Sequence, residues 1–206
     1  MIGGAAAARA LREVRWVLCD ADGSLFPAPR PDREPDPVPA PVGARAPAPA
    51  APAAPTGSPD PRVLEPLRTL SEHFGLAAIG SGTDARTAAR LEVTGTARYF
   101  PPELRFSAQD SPPRPPHEPG PAVYRFAGQC LGLGAGQAVA VEDRAAGTAS
   151  AVAAGWPVIG NLLFVAPAER AVREVELREA GACAVVRSWW DVVGLLCTAT
   201  ARGLHG

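Results

Sequence analysis

The sequence predicts an α/β fold in which a parallel sheet is covered by helices on both faces, and three observations carry that expectation. Short, wholly apolar runs such as Trp16-Val17-Leu18 and Ala138-Val139-Ala140-Val141 read as strands buried on both sides, because a half-exposed strand would alternate with polar residues. Stretches with apolar residues at helical spacing separate these runs. Several of the runs end in polar turns, and the carboxyl ends of the strands are where an open parallel sheet presents residues for chemistry.

Taken in order, the first strand closes at the turn Asp20-Ala21-Asp22-Gly23. Residues 27–61 then hold 13 of the 24 prolines and almost no large apolar side chain. Such a segment builds no core, so residues 27–62 are expected to form a flexible Pro/Ala-rich insert. The core resumes with a helix over 63–74, a strand over 76–79, and a helix opening at Thr83-Asp84 and closing near Gly95. Pro121 starts a helix whose Val123, Phe126, Ala127, Cys130 and Leu131 form one expected stripe, with Gly132 as terminator. A strand over 138–141 ends in Glu142-Asp143, and an alanine-rich helix runs to Gly155. A strand over 157–162, a helix over 167–180, a strand over 183–186 and a last helix with Trp190, Val193 and Leu196 follow. The chain therefore divides into one discontinuous core, residues 1–26 and 63–206, and the insert between its two parts.

Composition removes several function classes. The net charge is −1 and the 20 basic residues, all arginine, are scattered, so no stripe for nucleic acid and no polybasic membrane patch is present. No run approaches the ~20 apolar residues of a membrane span. The N-terminal alanine run is broken by Arg9, Arg12 and Arg15 and lacks the apolar stretch of a signal peptide. Cys19, Cys130, Cys183 and Cys197 form no CxxC pair and no metal spacing, and read as reduced core thiols of a cytoplasmic protein.

The polar residues that end the strands are the candidates for chemistry: Asp20 and Asp22, Ser81 in the turn Gly80-Ser81-Gly82-Thr83, and Glu142 with Asp143. Four carboxylates converging on one sheet edge repel one another unless a divalent cation sits among them. Oxygen ligands without cysteine suit Mg2+, and a Mg2+ site in turn suggests a phosphate substrate. A calcium loop fits poorly, since Asp20 follows a strand and the spaced ligands and closing glutamate of such a loop are missing.

These segments resemble, in order, the motifs of the haloacid dehalogenase-like (HAD) superfamily. VLCDADGSLF is similar to its first motif, LAAIGSG to its second, and VAVEDRAAGTASAVAAGWPVIG to its fourth with the following helix and strand. The resemblance covers residues 14–26 and 63–195. It implies a Rossmann-like three-layer αβα sandwich of the phosphatase/phosphoglucomutase-like branch, with the helical cap absent and the Pro/Ala-rich insert in its place. It further implies that Asp20 is a nucleophile forming an aspartyl-phosphate and that Asp22 is the general acid for the leaving group and then the base for water. Mg2+ would be held by Asp20, the Asp22 carbonyl and Asp143, with Glu142 helping. Ser81 and Gly82 would bind the phosphate, the hydroxyl position falling on Gly80, Ser81 or Thr83 according to the alignment. An acid at Asp22 points to phosphoryl transfer, since a halide leaves without a proton.

The third motif departs from the family. The lysine expected before Pro119-Gly120-Pro121-Ala122-Val123-Tyr124 is replaced by Glu118, which adds an anion to an anionic site. Arg114 is the expected substitute, with His117 and Arg125 as further cations nearby. A core without a helical cap excludes water poorly, which fits either a broad phosphatase for small phosphate esters or action on a larger phosphorylated substrate. Glu118 also motivates a second expectation, a catalytically impaired HAD-fold binding or regulatory module.

Overall fold

The computed structural model describes residues 7, 9–28, 57–110 and 121–203. Most of the insert, and with it residues 111–120 including Arg114, His117 and Glu118, lies outside the described residues.

Six strands form one sheet: β1 (Trp16–Asp20), β2 (Gly75–Gly80), β3 (Arg105–Ser107), β4 (Ala138–Glu142), β5 (Val158–Asn161) and β6 (Ala184–Val186). Their order is β3-β2-β1-β4-β5-β6 and every neighbouring pair is parallel. After β1 the chain builds outward through β2 and β3, then crosses back to lay β4 against the other side of β1. The crevice at this reversal, above the carboxyl ends of β1 and β4, is where an open α/β sheet binds ligands. The strand β3 was not expected from the sequence. It has three residues, only Phe106 of them large and apolar, and it lies at the sheet edge, where little periodic signal is needed.

Among the described residues six α-helices flank the sheet: α1 (Pro61–Ser71), α2 (Asp84–Val93), α3 (Ala122–Cys130), α4 (Ala145–Ala153), α5 (Arg170–Glu179) and α6 (Trp189–Gly203). The helix expected from residue 63 begins earlier because Asp60 caps it, accepting from the Arg62 amide at 2.9 Å, and Pro61 fits the first helical position. Alternation along the strands fills two cores. Val17, Cys19, Val139 and Val141 face α1 and α6, meeting Val63, Leu67, Leu70, Trp189, Val192 and Leu196. Leu18, Ala138, Ala140 and Val158 face the other way, toward Val123, Tyr124 and Ala127 of α3 and Ala151 of α4. The result is an α/β three-layer sandwich of the Rossmann-like kind.

Two expectations about faces are corrected. The buried stripe of α3 is Val123, Tyr124, Ala127 and Gly128, while Cys130 is exposed and Phe126 is half-buried, edge-on to Phe106 at 6.0 Å between ring centroids. Trp156 packs so closely on Gly128 that a Cβ there would stand 2.6 Å from its ring, which pulls that side of the helix inward. The four cysteines are free, but Cys197 as well as Cys130 is exposed, so they are not all core thiols. No helix among the described residues is long and apolar enough to cross a membrane.

The last helix also braces the first loop. Trp189 is fully buried and its indole N–H donates to the Ser24 carbonyl at 2.8 Å, tying the turn after β1 to the start of α6. Replacing Trp189 by alanine removes both the packing and that bond and is expected to cost about 3–5 kcal/mol, read from urea unfolding curves.

Candidate active site

The geometry begins with register. Cys19 pairs with Val141 across β1 and β4, so the residues that follow, Asp20 and Glu142, end the two central strands side by side. Asp143 opens the next turn, and Asp20, Glu142 and Asp143 each bring a carboxylate oxygen within 4.8 Å of the others. All three residues are buried. Asp20 Oδ2, Glu142 Oε2 and Asp143 Oδ1 have no hydrogen-bond partner. Orphaned buried oxygens of this kind are rare unless something outside the protein completes them. Three hard oxygen donors pointing at one small space fit a divalent cation of the Mg2+ type.

Two glycines permit the approach. Gly23 has φ of +107°, and a Cβ on it would fall 2.0 Å from Asp143 Oδ2. A Cβ on Gly147 would fall 2.2 Å from Glu142 Oε2, so the first turn of α4 sits directly against that carboxylate. Both positions therefore require glycine because carboxylates of the cluster occupy the space a side chain would need.

Electrostatics follow from burial. The Asp20 carboxyl is held well above the usual carboxylate range, by desolvation first and then by repulsion from Glu142 and Asp143. Desolvation pushes Glu142 up to about 7, against the opposing hydrogen bond from the Tyr124 hydroxyl. Asp143 is pushed up to about 6 by desolvation, with Arg144 and Arg173 opposing. The Arg173 guanidinium donates to the Asp143 carbonyl at 2.9 Å.

Asp22 stands apart from the cluster. Its Oδ1 is ion-paired with Arg90, and its Oδ2 accepts from the Ser81 hydroxyl at 3.4 Å. Arg90 is buried, lies over the Phe26 ring at 3.9 Å and donates to the Pro27 carbonyl at 2.6 Å. It thus holds both ends of the turn from Asp22 to Phe26, which is closed by Gly23 N–H donating to the Phe26 carbonyl at 2.8 Å. Arg90 and Tyr124 were not singled out from the sequence. A signal for Arg90 exists: Thr87, Arg90, Leu91 and Thr94 are buried at helical spacing along α2 and its cap, so an arginine occupies the core-facing stripe.

The three alternatives of the second motif differ in what surrounds them. Gly80 packs on Thr87, whose Oγ1 would be 2.4 Å from a Cβ. Thr83 caps α2, accepting from the Arg86 amide at 3.3 Å. Only Ser81 of the three has its hydroxyl beside an acid of the site, with Gly82 next to it in the turn. Arg125 donates to the Ala153 carbonyl at 2.9 Å, between α3 and α4, and does not join the acids.

The arrangement is a parallel α/β sandwich with a carboxylate cluster that could hold a metal ion at its central strand ends. The chain is similar to solved structures of the haloacid dehalogenase-like superfamily and shares their fold. It is 27% identical to a conserved haloacid dehalogenase-like protein of unknown function from Agrobacterium tumefaciens, over 66% of this chain and 59% of that one, with a TM-score of 0.57. It is 26% identical to a HAD family hydrolase from Deinococcus radiodurans, solved with bound phosphate and sodium, over 67% and 58% of the two chains with a TM-score of 0.56. Each match thus spans less than two thirds of the other protein's length. A beta-phosphoglucomutase-like protein from Bacteroides vulgatus shares the fold over 96% of this chain and 99% of its own, at 18% identity and a TM-score of 0.63. No family model and no curated protein sequence matches the chain.

Two outcomes are expected from this site. Glu142 and Asp143 have folded values raised from 4.5 and 3.8 to about 7 and about 6, so their contribution favours the fold at low pH and is lost as pH rises through 6–7. The melting temperature of metal-free protein is expected to fall between about pH 4 and about pH 7, and the gain on adding Mg2+ to grow over the same interval. A gain independent of pH would contradict the assignment. Replacing Arg90 by methionine strands the buried Asp22 carboxylate and is expected to cost about 3–5 kcal/mol in urea unfolding, much of it recovered when Asp22→Asn is added.

Proposed function

We propose that this chain is a Mg2+-dependent phosphomonoester hydrolase that works through an aspartyl-phosphate on Asp20. The observation that carries the proposal is the buried cluster of Asp20, Glu142 and Asp143 at the crevice between β1 and β4, with a fourth carboxylate, Asp22, two residues along the same turn. Asp20, Glu142, Asp143 and the Asp22 carbonyl would hold the metal. When bound, that ion offsets the charge of the acids and polarises the phosphoryl group.

The protein's own residues account for the remaining chemistry. An Asp20 carboxylate oxygen attacks phosphorus as the bond to the ester oxygen breaks, and that oxygen leaves with the proton of Asp22. Water then attacks the phosphorus of the aspartyl-phosphate, giving its proton to Asp22 and releasing inorganic phosphate and free Asp20. With Asp22 paired to Arg90 and Ser81, its carboxyl has to turn toward the crevice to reach a leaving oxygen. That turn frees the Ser81 hydroxyl, and with it the Gly82 turn, to meet a phosphoryl oxygen. The bound phosphate of the Deinococcus relative is consistent with an anion at this crevice. Substrates are phosphate esters of small molecules or of a larger phosphorylated partner, and the Pro/Ala-rich insert is a connector in the place of a helical cap.

The pairing of Asp22 with Arg90 favours one other reading, an impaired domain that binds a phosphorylated ligand without turning it over. Hydrolysis of p-nitrophenyl phosphate separates the two. Release that requires Mg2+ and falls at least about 1,000-fold in Asp20→Asn is the expected result. Release no faster than that variant's, across a panel of natural phosphomonoesters, would leave the binding module.

A further inference from the structure

The motif lysine that should face the nucleophile is replaced by Glu118, yet a dianionic phosphoryl group beside four carboxylates needs a protein cation as well as a metal. The arginines around the cluster differ in how far they are already engaged. Arg90 is committed to Asp22, the Pro27 carbonyl and the Phe26 ring. Arg173 is held between the Asp143 carbonyl at 2.9 Å and Glu176 at 2.9 Å. Arg125 is turned to the Ala153 carbonyl.

Arg144 is different. It follows Asp143 directly and stands at the cap position of α4, with extended φ and ψ of −127° and 147°. Its Nε lies 3.6 Å from Asp143 Oδ1, one of the orphaned oxygens of the cluster, a separation too long for a committed hydrogen bond. Its side chain is 46% exposed while that of Asp143 is 7% exposed, so Arg144 touches a buried acid and is itself open to solvent. Burial pulls its proton affinity down, but Asp20 and then Asp143 and Glu142 outweigh that and hold it above the ordinary arginine value. Asp143 shares its carboxylate cluster with Asp20, the proposed nucleophile, so a group that reaches Asp143 Oδ1 stands beside Asp20 as well.

We infer that Arg144 is the phosphate-binding cation of this site, its guanidinium donating to phosphoryl oxygens over the Asp20 carboxylate where the family uses a lysine from another segment. Its planar fork suits two oxygens of one phosphate, and its position next to Asp143 fixes it to the strand end that also carries the metal ligands. The ligand class is the phosphate monoester dianion, with inorganic phosphate as its minimal form. The inference rests on the phosphoryl-transfer reading of the crevice, and its test uses binding rather than turnover so that the two fail separately.

The experiment is calorimetric titration of inorganic phosphate into the full chain with saturating Mg2+, for wild type, Arg144→Gln, Arg144→Lys and Arg114→Ala, with Mg2+ titrations of the same proteins. Loss of at least about tenfold in phosphate affinity in Arg144→Gln, partial return in Arg144→Lys, near-wild-type binding in Arg114→Ala and undiminished Mg2+ affinity throughout are expected. Phosphate binding unchanged in Arg144→Gln, lost instead in Arg114→Ala, or undetectable in wild type would overturn it. A wild type that binds phosphate through Arg144 but hydrolyses no ester would sink the hydrolase and leave this assignment standing.

Discussion

Mutual repulsion among carboxylates gathered at one sheet edge is the constraint around which this molecule is arranged. Parallel pairing of β1 with β4 makes Asp20 and Glu142 neighbours, and burial then makes their charges expensive. Gly23 and Gly147 let backbone close on these acids where any side chain would collide with them. Arg90, Arg144, Arg173 and the Tyr124 hydroxyl surround the site with positive charge and donors. Three carboxylate oxygens nevertheless stay without a hydrogen bond, which is the remaining gap a cation would fill.

The acids split into two environments. Asp20, Glu142 and Asp143 share one small space and are pushed toward their protonated forms, whereas Asp22, two residues from Asp20, is ion-paired with Arg90. On the proposed mechanism both acids have to change state: a bound cation would return Asp20 to its ionised form, and Asp22 would have to leave Arg90 to carry a proton. Arg90 also fixes the Asp22–Phe26 turn through Pro27 and Phe26, and Trp189 fixes it through Ser24. The turn is therefore gripped from α2 on one side and from α6 on another.

Much of this was legible in the sequence because it is written in contiguous segments. Strand, polar turn and helix succeed one another at β1, β2 and β4, and the acids fall at the turns. What stayed hidden depends on which way a side chain faces. Arg90 looked like one of many scattered arginines, although its place in the stripe with Thr87, Leu91 and Thr94 marks it as inward. Arg144 was not singled out either, although it directly follows Asp143. Cys130 and Cys197 lie in helices, which says nothing of the face they occupy, and both are exposed. The strand β3 escaped because an edge strand of three residues, Arg105-Phe106-Ser107, carries almost no pattern.

The most direct measurement of the central constraint is the proton count on Mg2+ binding, obtained by calorimetry in buffers of different ionisation enthalpy. Acids held partly protonated by burial and repulsion must give up protons to a cation. Binding near pH 6 accompanied by proton release, which shrinks near pH 8 and is smaller in Asp143→Asn, where one of the three protonatable acids is gone, is the predicted result. Mg2+ binding with no proton release at either pH, or no binding at all, would contradict a cluster built around a divalent ion.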